Sequence, residues 1–268
     1  MNAIDPATKM ALAKYAVGQP VSRTEDPKLL RGEGRYTDDM NVPGQAYAVM
    51  VRSRYAHGVI KGISTEAARA MPGVLGVYTG ADLQAAGYGT LKCSMALKSR
   101  DGNMMLQPAR PALPVDKVRF VGDPIAFVVA RTAIEAKDAA EAVEPDIDPL
   151  PAVTQASLAA EPGAPQLYDD APGNVALDYH YGDSEKVAAA FAKAAHVARL
   201  PLTNSRIVVN AMEPRSAIAE YDPAAGRWTI NVGSQGVFGL RNSIATDILK
   251  VPADKVRVLT GNVGGSFG

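Results

Sequence analysis

Val256-Arg-Val-Leu-Thr-Gly261-Asn-Val-Gly264-Gly265-Ser266-Phe267-Gly268 is the stretch on which the reading of this 268-residue sequence turns. An apolar, β-branched run from Val256 to Leu259 delivers a loop with four glycines in eight residues. Glycines at that density let the backbone take positive φ and approach a ligand closely. Successive free N–H groups in such a loop form a nest for an anion. A loop of this kind ordinarily feeds a helix whose N-terminus completes the anion site. No residue follows Gly268, so the expectation is a half-built site completed by another polypeptide segment. The glycine spacing is neither G-x-G-x-x-G nor a P-loop with its Lys-Ser/Thr. Ligand contact and a plain tight turn both remain open on spacing alone.

Working back from the loop, Pro252 ends a helix expected over residues 236–250, with Leu240, Ile244 and Ile248 spaced by four. Ala217 to Tyr221, the turn Asp222 to Gly226, and Arg227 to Val232 form the clearest hairpin. Val197 to Leu202 and Arg206 to Asn210 read as strands. Asp183 or Ser184 starts a helix running to about Ala195, with Val187, Phe191 and Ala194 on one face. These elements make a second, α+β unit over residues 181–268, preceded by a Pro/Gly-punctuated linker over 154–180.

Residues 19–153 read as a compact unit in which strands alternate with helices. The expected strands are 45–52, 59–63, 74–78 and 125–130, followed by an extended piece among Pro145, Pro149 and Pro151. A short helix capped by Ser64 covers 65–70, a second starts at Thr79 and Asp82, and Thr132-Ala-Ile-Glu135 is a capping box. Residues 87–114 read as loop. Residues 1–18 form a tail in which Met10 to Lys14 is a short helix or frayed.

Composition narrows the function classes. Lys plus Arg and Asp plus Glu both number 28, which offers no electrostatic case for nucleic acid or an anionic membrane surface. No run approaches the ~20 apolar residues of a membrane span. The start lacks a signal-peptide layout, so a cytoplasmic location is expected. The single cysteine, Cys93, excludes an internal disulfide and a cluster held by this chain's thiolates alone. His57, His180 and His196 lie far apart and show no metal-ligand spacing.

Three further groups have two readings each. Gln235, in Gly233-Ser-Gln-Gly236, either offers its amide to a cofactor or caps a turn. Glu213 and Arg215, around Pro214, are either site-wall groups or a surface ion pair, the latter favoured by spacing. Arg52-Ser-Arg-Tyr-Ala-His57 either lines a cleft or is a solvated strand end, the latter favoured. No catalytic residue and no metal ligand is assigned.

Arg23-Thr-Glu-Asp26-Pro-Lys-Leu-Leu-Arg-Gly32-Glu-Gly34-Arg-Tyr36-Thr-Asp38-Asp39 resembles the opening of the large subunit of molybdenum hydroxylases. That family comprises xanthine dehydrogenase, aldehyde oxidase and aerobic carbon monoxide dehydrogenase. The resemblance continues through Val51 to His57, Met71-Pro-Gly73-Val, and Lys117-Val-Arg-Phe-Val-Gly122-Asp-Pro-Ile-Ala126. It implies an α/β hammerhead domain followed by the beginning of a molybdopterin-binding α+β domain. Ser234-Gln235 resembles the glutamine beside an oxygen ligand of molybdenum. Val263-Gly264-Gly265-Ser266-Phe267-Gly268 resembles the loop that approaches the metal and its pterin, and Met212 to Arg215 the family's Glu-Pro turn. The resemblance thus implies a molybdenum–molybdopterin dinucleotide held by Gln235, Gly264, Gly265, Ser266, Phe267 and Gly268. It also implies iron–sulfur and FAD subunits as partners, a small-molecule substrate, and the remaining part of the large subunit with its catalytic glutamate. A non-catalytic scaffold that docks partner subunits is the alternative.

Overall fold

The computed structural model describes residues 7–8, 23–93, 95–205 and 207–267. The expected helix at Met10 to Lys14 lies outside these residues, as do Arg206 and Gly268.

The first unit runs through α1 (Asp26–Leu30), β1 (Tyr47–Arg52), β2 (Gly58–Ser64), α2 (Glu66–Arg69), β3 (Val74–Thr79) and α3 (Gly80–Ala85). It continues with β4 (Lys117–Val118), β5 (Pro124–Ala130), α4 (Ala133–Glu141) and β6 (Glu144–Pro149). The strands form two three-stranded sheets, ordered β1-β5-β3 and β4-β2-β6. Every pairing in them is antiparallel, so alternation of strand and helix along the sequence does not make a parallel sheet here. β5 is the central strand of its sheet. Its unbroken apolar run matches that position, with Ile125, Ala126, Val128 and Ala130 all fully buried.

Small residues let the helices approach closely. Ala68 of α2 and Ala139 of α4 pack with Val77, Ala126, Val128 and Val143 into one core. α4 starts as the sequence predicts. The Thr132 hydroxyl accepts from Glu135 N–H at 3.2 Å, and the Glu135 carboxylate accepts from Thr132 N–H at 2.9 Å. α3 begins with the same device built from Thr79 and Asp82. The main-chain and hydroxyl donors of Thr79 hold the Asp82 carboxyl below its usual range. α2 differs from expectation. Ser64 is the last residue of β2, and Thr65 is the N-cap, its N–H taken by the Glu66 carboxylate at 3.0 Å.

The segment at the end of β1 is solvated only in part, since Arg52, Arg54 and Tyr55 are exposed. Ser53 and His57 are both buried. Ser53 N–H donates to Asp123 O and Gly122 N–H donates to Ser53 O, each at 2.8 Å. The His57 imidazole donates through Nδ1 to Pro151 O at 2.9 Å. This turn is knitted to two others, which overrides the polar character of its sequence. Burial pushes the Asp123 carboxyl above its usual range, partly opposed by the Arg119 N–H that it accepts at 3.0 Å.

Residues 154–180 carry only short 3-10 turns, yet they lie against the first unit. Asp169 pairs with Lys117 at 2.9 Å, and the Arg119 guanidinium sits 4.7 Å from the centre of the Tyr168 ring.

The second unit contains α5 (Ser184–Lys193), β7 (Ala217–Asp222), β8 (Arg227–Val232), α6 (Val237–Asn242), a π-helical stretch (Ser243–Leu249) and β9 (Val256–Leu259). β7 pairs antiparallel and β9 parallel with the central β8. Leu240 and Ile244, with Trp228 and Ile230, cover a core of Ala245, Val256 and Val258. A four-residue spacing suits the wider π turn, in which each N–H reaches five residues back.

The strands expected at 197–202 and 206–210 do not form among the described residues. Leu200, Leu202, Ile207 and Val208 are 78–88% exposed. The apolar, branched side chains are there, but a strand without a neighbour has no partner for its N–H and C=O groups. α5 forms where expected, yet its Val187 and Phe191 are also exposed. Among the described residues, no helix is long and apolar enough to cross a membrane.

Candidate functional site

The sheet of the second unit explains how distant residues meet. β8 and β9 run parallel with Asn231 opposite Leu259, so the segments leaving both strands emerge side by side. β7 runs the other way with Ala217 opposite Val232, so the residues entering it arrive at the same edge. Three segments therefore converge there: residues 213–216, 233–236 and 260–267. Loops at the carboxyl ends of parallel strands are the usual place for ligand sites in α/β sheets. Here the rule acts on a single parallel pair.

The convergence is fastened by specific bonds. Ser234 N–H donates to the Thr260 hydroxyl at 3.3 Å, linking the Gln235 turn to the end of β9. Gly236 N–H donates to the Ser234 hydroxyl at 3.2 Å, so the turn-capping role falls to Ser234. Gln235 is exposed and faces the shared cavity. The Glu213 carboxylate accepts from Gly264 N–H. Its other oxygen would lie 3.0 Å from a Cβ placed on Gly233. Glu213 thus stands between the two loops. The favoured reading of Glu213 and Arg215 as a surface ion pair does not hold, because the carboxylate turns inward to the glycine loop.

The glycine loop has two separate steric requirements. A Cβ on Gly264 would overlap the Glu213 side chain. Gly265 has φ +140°, which side-chain-bearing residues rarely adopt, and a Cβ there would press on the Phe267 ring. The first glycine is needed by the protein's own carboxylate, so close ligand approach is not the whole reason for the motif. Among the described residues, the N–H groups of Gly265, Ser266 and Phe267 have no protein acceptor. Three consecutive free donors beside Gln235 suit an anionic or strongly polar ligand.

The resulting cavity measures about 550 Å³ and is lined by Glu213, Arg215, Ser234, Gln235 and the 263–267 loop, among others. The Ser216 hydroxyl oxygen is buried without a hydrogen-bond partner at its edge. A polar ligand of cofactor size fits a space with that volume and that donor set.

One contact was invisible to sequence reasoning. Arg35 N–H donates to the Asn262 side-chain oxygen at 2.8 Å, and Asn262 N–H donates to Arg35 O at 3.2 Å. The Arg23–Asp39 motif thereby docks on the glycine loop across 227 positions. No periodicity or spacing reports such a pairing. A second cavity, about 710 Å³, shares no residue with this one. The free main-chain donors converge at the smaller of the two.

Comparison with known proteins agrees with this geometry. Residues 31–151 match the family described as "Aldehyde oxidase and xanthine dehydrogenase, a/b hammerhead domain", and residues 167–268 match "Molybdopterin cofactor-binding domain". The chain is 33% identical to the carbon monoxide dehydrogenase large chain of Afipia carboxidovorans, over 92% of this chain and 30% of that protein. It is 32% identical to the nicotine 6-hydroxylase large subunit of Paenarthrobacter nicotinovorans, over 96% of this chain and 30% of that protein. Among solved structures, quinoline 2-oxidoreductase from Pseudomonas putida superposes with a TM-score of 0.79 at 31% identity, covering 92% of this chain and 30% of that one. The Cu,Mo carbon monoxide dehydrogenase in its carbon monoxide reduced state gives 0.77 at 33% identity, covering 94% and 32%. The chain thus spans about 30% of the length of the curated relatives it matches first. Taken with the hammerhead sheets and the glycine-loop site, these matches make the chain a member of the aldehyde oxidase and xanthine dehydrogenase family of molybdenum enzymes, spanning its hammerhead domain and the start of its molybdopterin-binding domain.

Proposed function

We propose that this chain is the N-terminal part of the molybdenum-cofactor subunit of an oxidoreductase. The whole enzyme hydroxylates an aldehyde or heterocycle with water, or oxidises carbon monoxide. The observation that carries the reading is the convergence of Gln235 with the three free amides of Gly265, Ser266 and Phe267. When bound, a molybdenum–molybdopterin dinucleotide supplies two-electron redox chemistry at its metal. The chain's own residues orient that group. The Gln235 carboxamide donates and accepts beside it. The loop amides present donors fixed before the reaction, so no reorganisation is needed as charge develops. Glu213 holds Gly264 and thereby sets where the next three amides point. Gly268 completes the loop in this assignment.

The division into a tail at 1–18, a hammerhead domain at 19–153, a linker at 154–180 and a cofactor domain from 181 belongs to the same proposal. So do the partners: the remaining part of the large subunit, an iron–sulfur subunit and an FAD subunit, working in the cytoplasm on a small-molecule substrate. Cys93 is exposed, and one thiol cannot hold an iron–sulfur cluster. The exposed apolar side chains at 200–212 support a polypeptide partner on that face. The test is purification of this chain from its own cells, with gel filtration and elemental analysis. Elution in a larger complex carrying molybdenum is expected. Elution alone and free of molybdenum would overturn the proposal in favour of a scaffold.

A further inference from the structure

We propose that the 710 Å³ cavity between the two units is a second binding site, for a ring-bearing organic cation such as an aromatic amine. Its volume lies in the ~300–1,000 Å³ range of small-molecule sites, and it sits where such sites concentrate, at a junction of units. The walls come from four separate stretches: α3, residues 88–119, Tyr168 to Asp170, and the end of the π-helical stretch. Leu83, Ile248 and Leu249 give it an apolar floor, and Pro108 and Pro111 stiffen the wall provided by the second of these.

The walls are held in place. Gly89 N–H donates to Ile248 O at 2.8 Å, and Lys92 pairs with Asp247 at 3.4 Å across the same junction. Gly80 packs so tightly that a Cβ would lie 2.5 Å from Pro114 O and 2.7 Å from Leu113 O.

Charge at the mouth selects the ligand. Asp116 is neutralised by Arg119 at 2.9 Å and Asp169 by Lys117 at 2.9 Å. Asp170 has no partner among the described residues and lines the same cavity. One negative charge is therefore left uncompensated beside an apolar chamber. Tyr168 already carries the Arg119 guanidinium on its ring. Tyr88, also in the wall, is 42% exposed and has its ring free for a cation or a second ring. Among the residues lining the cavity the one cation, Arg119, is already paired with Asp116, so an anion would meet Asp170 without a free cation in the wall. The site is independent of the molybdenum reading, since it shares no residue with the glycine-loop cavity.

The test uses the enzyme purified with all the polypeptides that accompany this chain. Equilibrium dialysis compares 1-naphthylmethylamine, 1-naphthalenemethanol and 1-naphthoate, which differ in charge on one ring system. The amine is expected to bind saturably, one per copy of this chain, with the alcohol about fivefold weaker, as befits one exposed charge pair. Naphthoate is expected to bind weakest. Asp170→Asn brings the amine down to the level of the alcohol. Ala112→Trp, which fills the mouth from an exposed position, abolishes binding of all three. If Ala112→Trp fails to accumulate, Ala109→Trp replaces it, since Ala109 lines the same wall. Absence of saturable binding, binding untouched by the tryptophan, or naphthoate binding as tightly as the amine would overturn the proposal.

Discussion

The main-chain N–H of Gly264 donates to the carboxylate of Glu213, 51 positions earlier in the chain. The bond joins the entry to β7 with the loop after β9. It uses the amide of Gly264 and leaves the next three free. A charged acceptor makes such a bond roughly twice as strong as a neutral one. It is short-armed as well: the Gly264 backbone packs on the Glu213 side chain with no room for a Cβ.

Glu213→Ala is therefore expected to loosen the loop. A hydrogen bond to a charged group contributes about 1.5–3 kcal/mol, so cofactor retention should fall by about one to two orders of magnitude. Molybdenum per polypeptide, measured by elemental analysis of the purified complex, reads this without an activity assay. Glu213→Gln keeps an acceptor and should retain most of the metal. Equal loss in both variants would mean that charge, and not the bond to Gly264, is what matters.

Gly264→Ala should be at least as damaging, and Glu213→Ala should not rescue it. The added Cβ meets the Cβ of Glu213, which alanine retains. Only Glu213→Gly makes room. Soluble yield and molybdenum content of the single and double variants give the answer. Rescue by Glu213→Ala would show that the backbone can shift apart at this contact.

Gln235 should separate function from stability. Its side chain is exposed and makes no protein hydrogen bond among the described residues. Gln235→Ala should leave the urea midpoint within the equivalent of about 0.5 kcal/mol, as for surface substitutions generally. Turnover by the complete enzyme should drop by about 100-fold, the usual effect of removing one prearranged donor. Unchanged turnover would remove Gln235 from the site.

Features fixed over three or four residues were legible in the sequence, and those fixed by pairing across the chain were not. Thr132 and Glu135 are three apart, and the cap that they form needs nothing else. The hairpin from Ala217 to Val232 is likewise local, and it forms in register. The Arg35–Asn262 contact depends on two units meeting, which no local pattern encodes. The same limit produced the error at Leu200 and Ile207. Their branched, apolar character signals a strand, but strand formation is a property of pairs, and the described chain offers no neighbour. At the candidate site, the resemblance singled out Gln235 and the glycine loop, and the two line one cavity. The role of Glu213 required the geometry, because its spacing to Arg215 pointed to a surface pair instead.

Asp123 gives a pH dependence with a defined sign. Its folded-state carboxyl is raised above the ordinary value of 3.8, chiefly by burial. The folded form then holds the proton more tightly than the unfolded form. The associated stability is fully present below the unfolded value and is lost as pH rises through the folded one. Asp123→Asn keeps an oxygen for the Arg119 N–H and removes the titration. Urea midpoints of the two proteins should therefore diverge as pH climbs from about 4 towards neutrality, with the variant gaining relative to the parent. Parallel curves would mean that water reaches Asp123 and screens it.

Lys250 ends the π-helical stretch with φ 56° and ψ 42°, the left-handed conformation. Val251 N–H then donates to Ala245 O at 2.8 Å and closes the helix end. The conformation costs a side-chain-bearing residue about 1–2 kcal/mol. Glycine escapes that cost but loses about 0.5–1 kcal/mol through the greater freedom of its unfolded chain. The two do not cancel, so Lys250→Gly should stabilise the second unit by about 0.5 kcal/mol, raising its thermal midpoint by about 2–4 °C. A fall in the midpoint would show that the Lys250 side chain, which lies beside Gly89 at the junction of the units, contributes more to their contact than the backbone strain takes away.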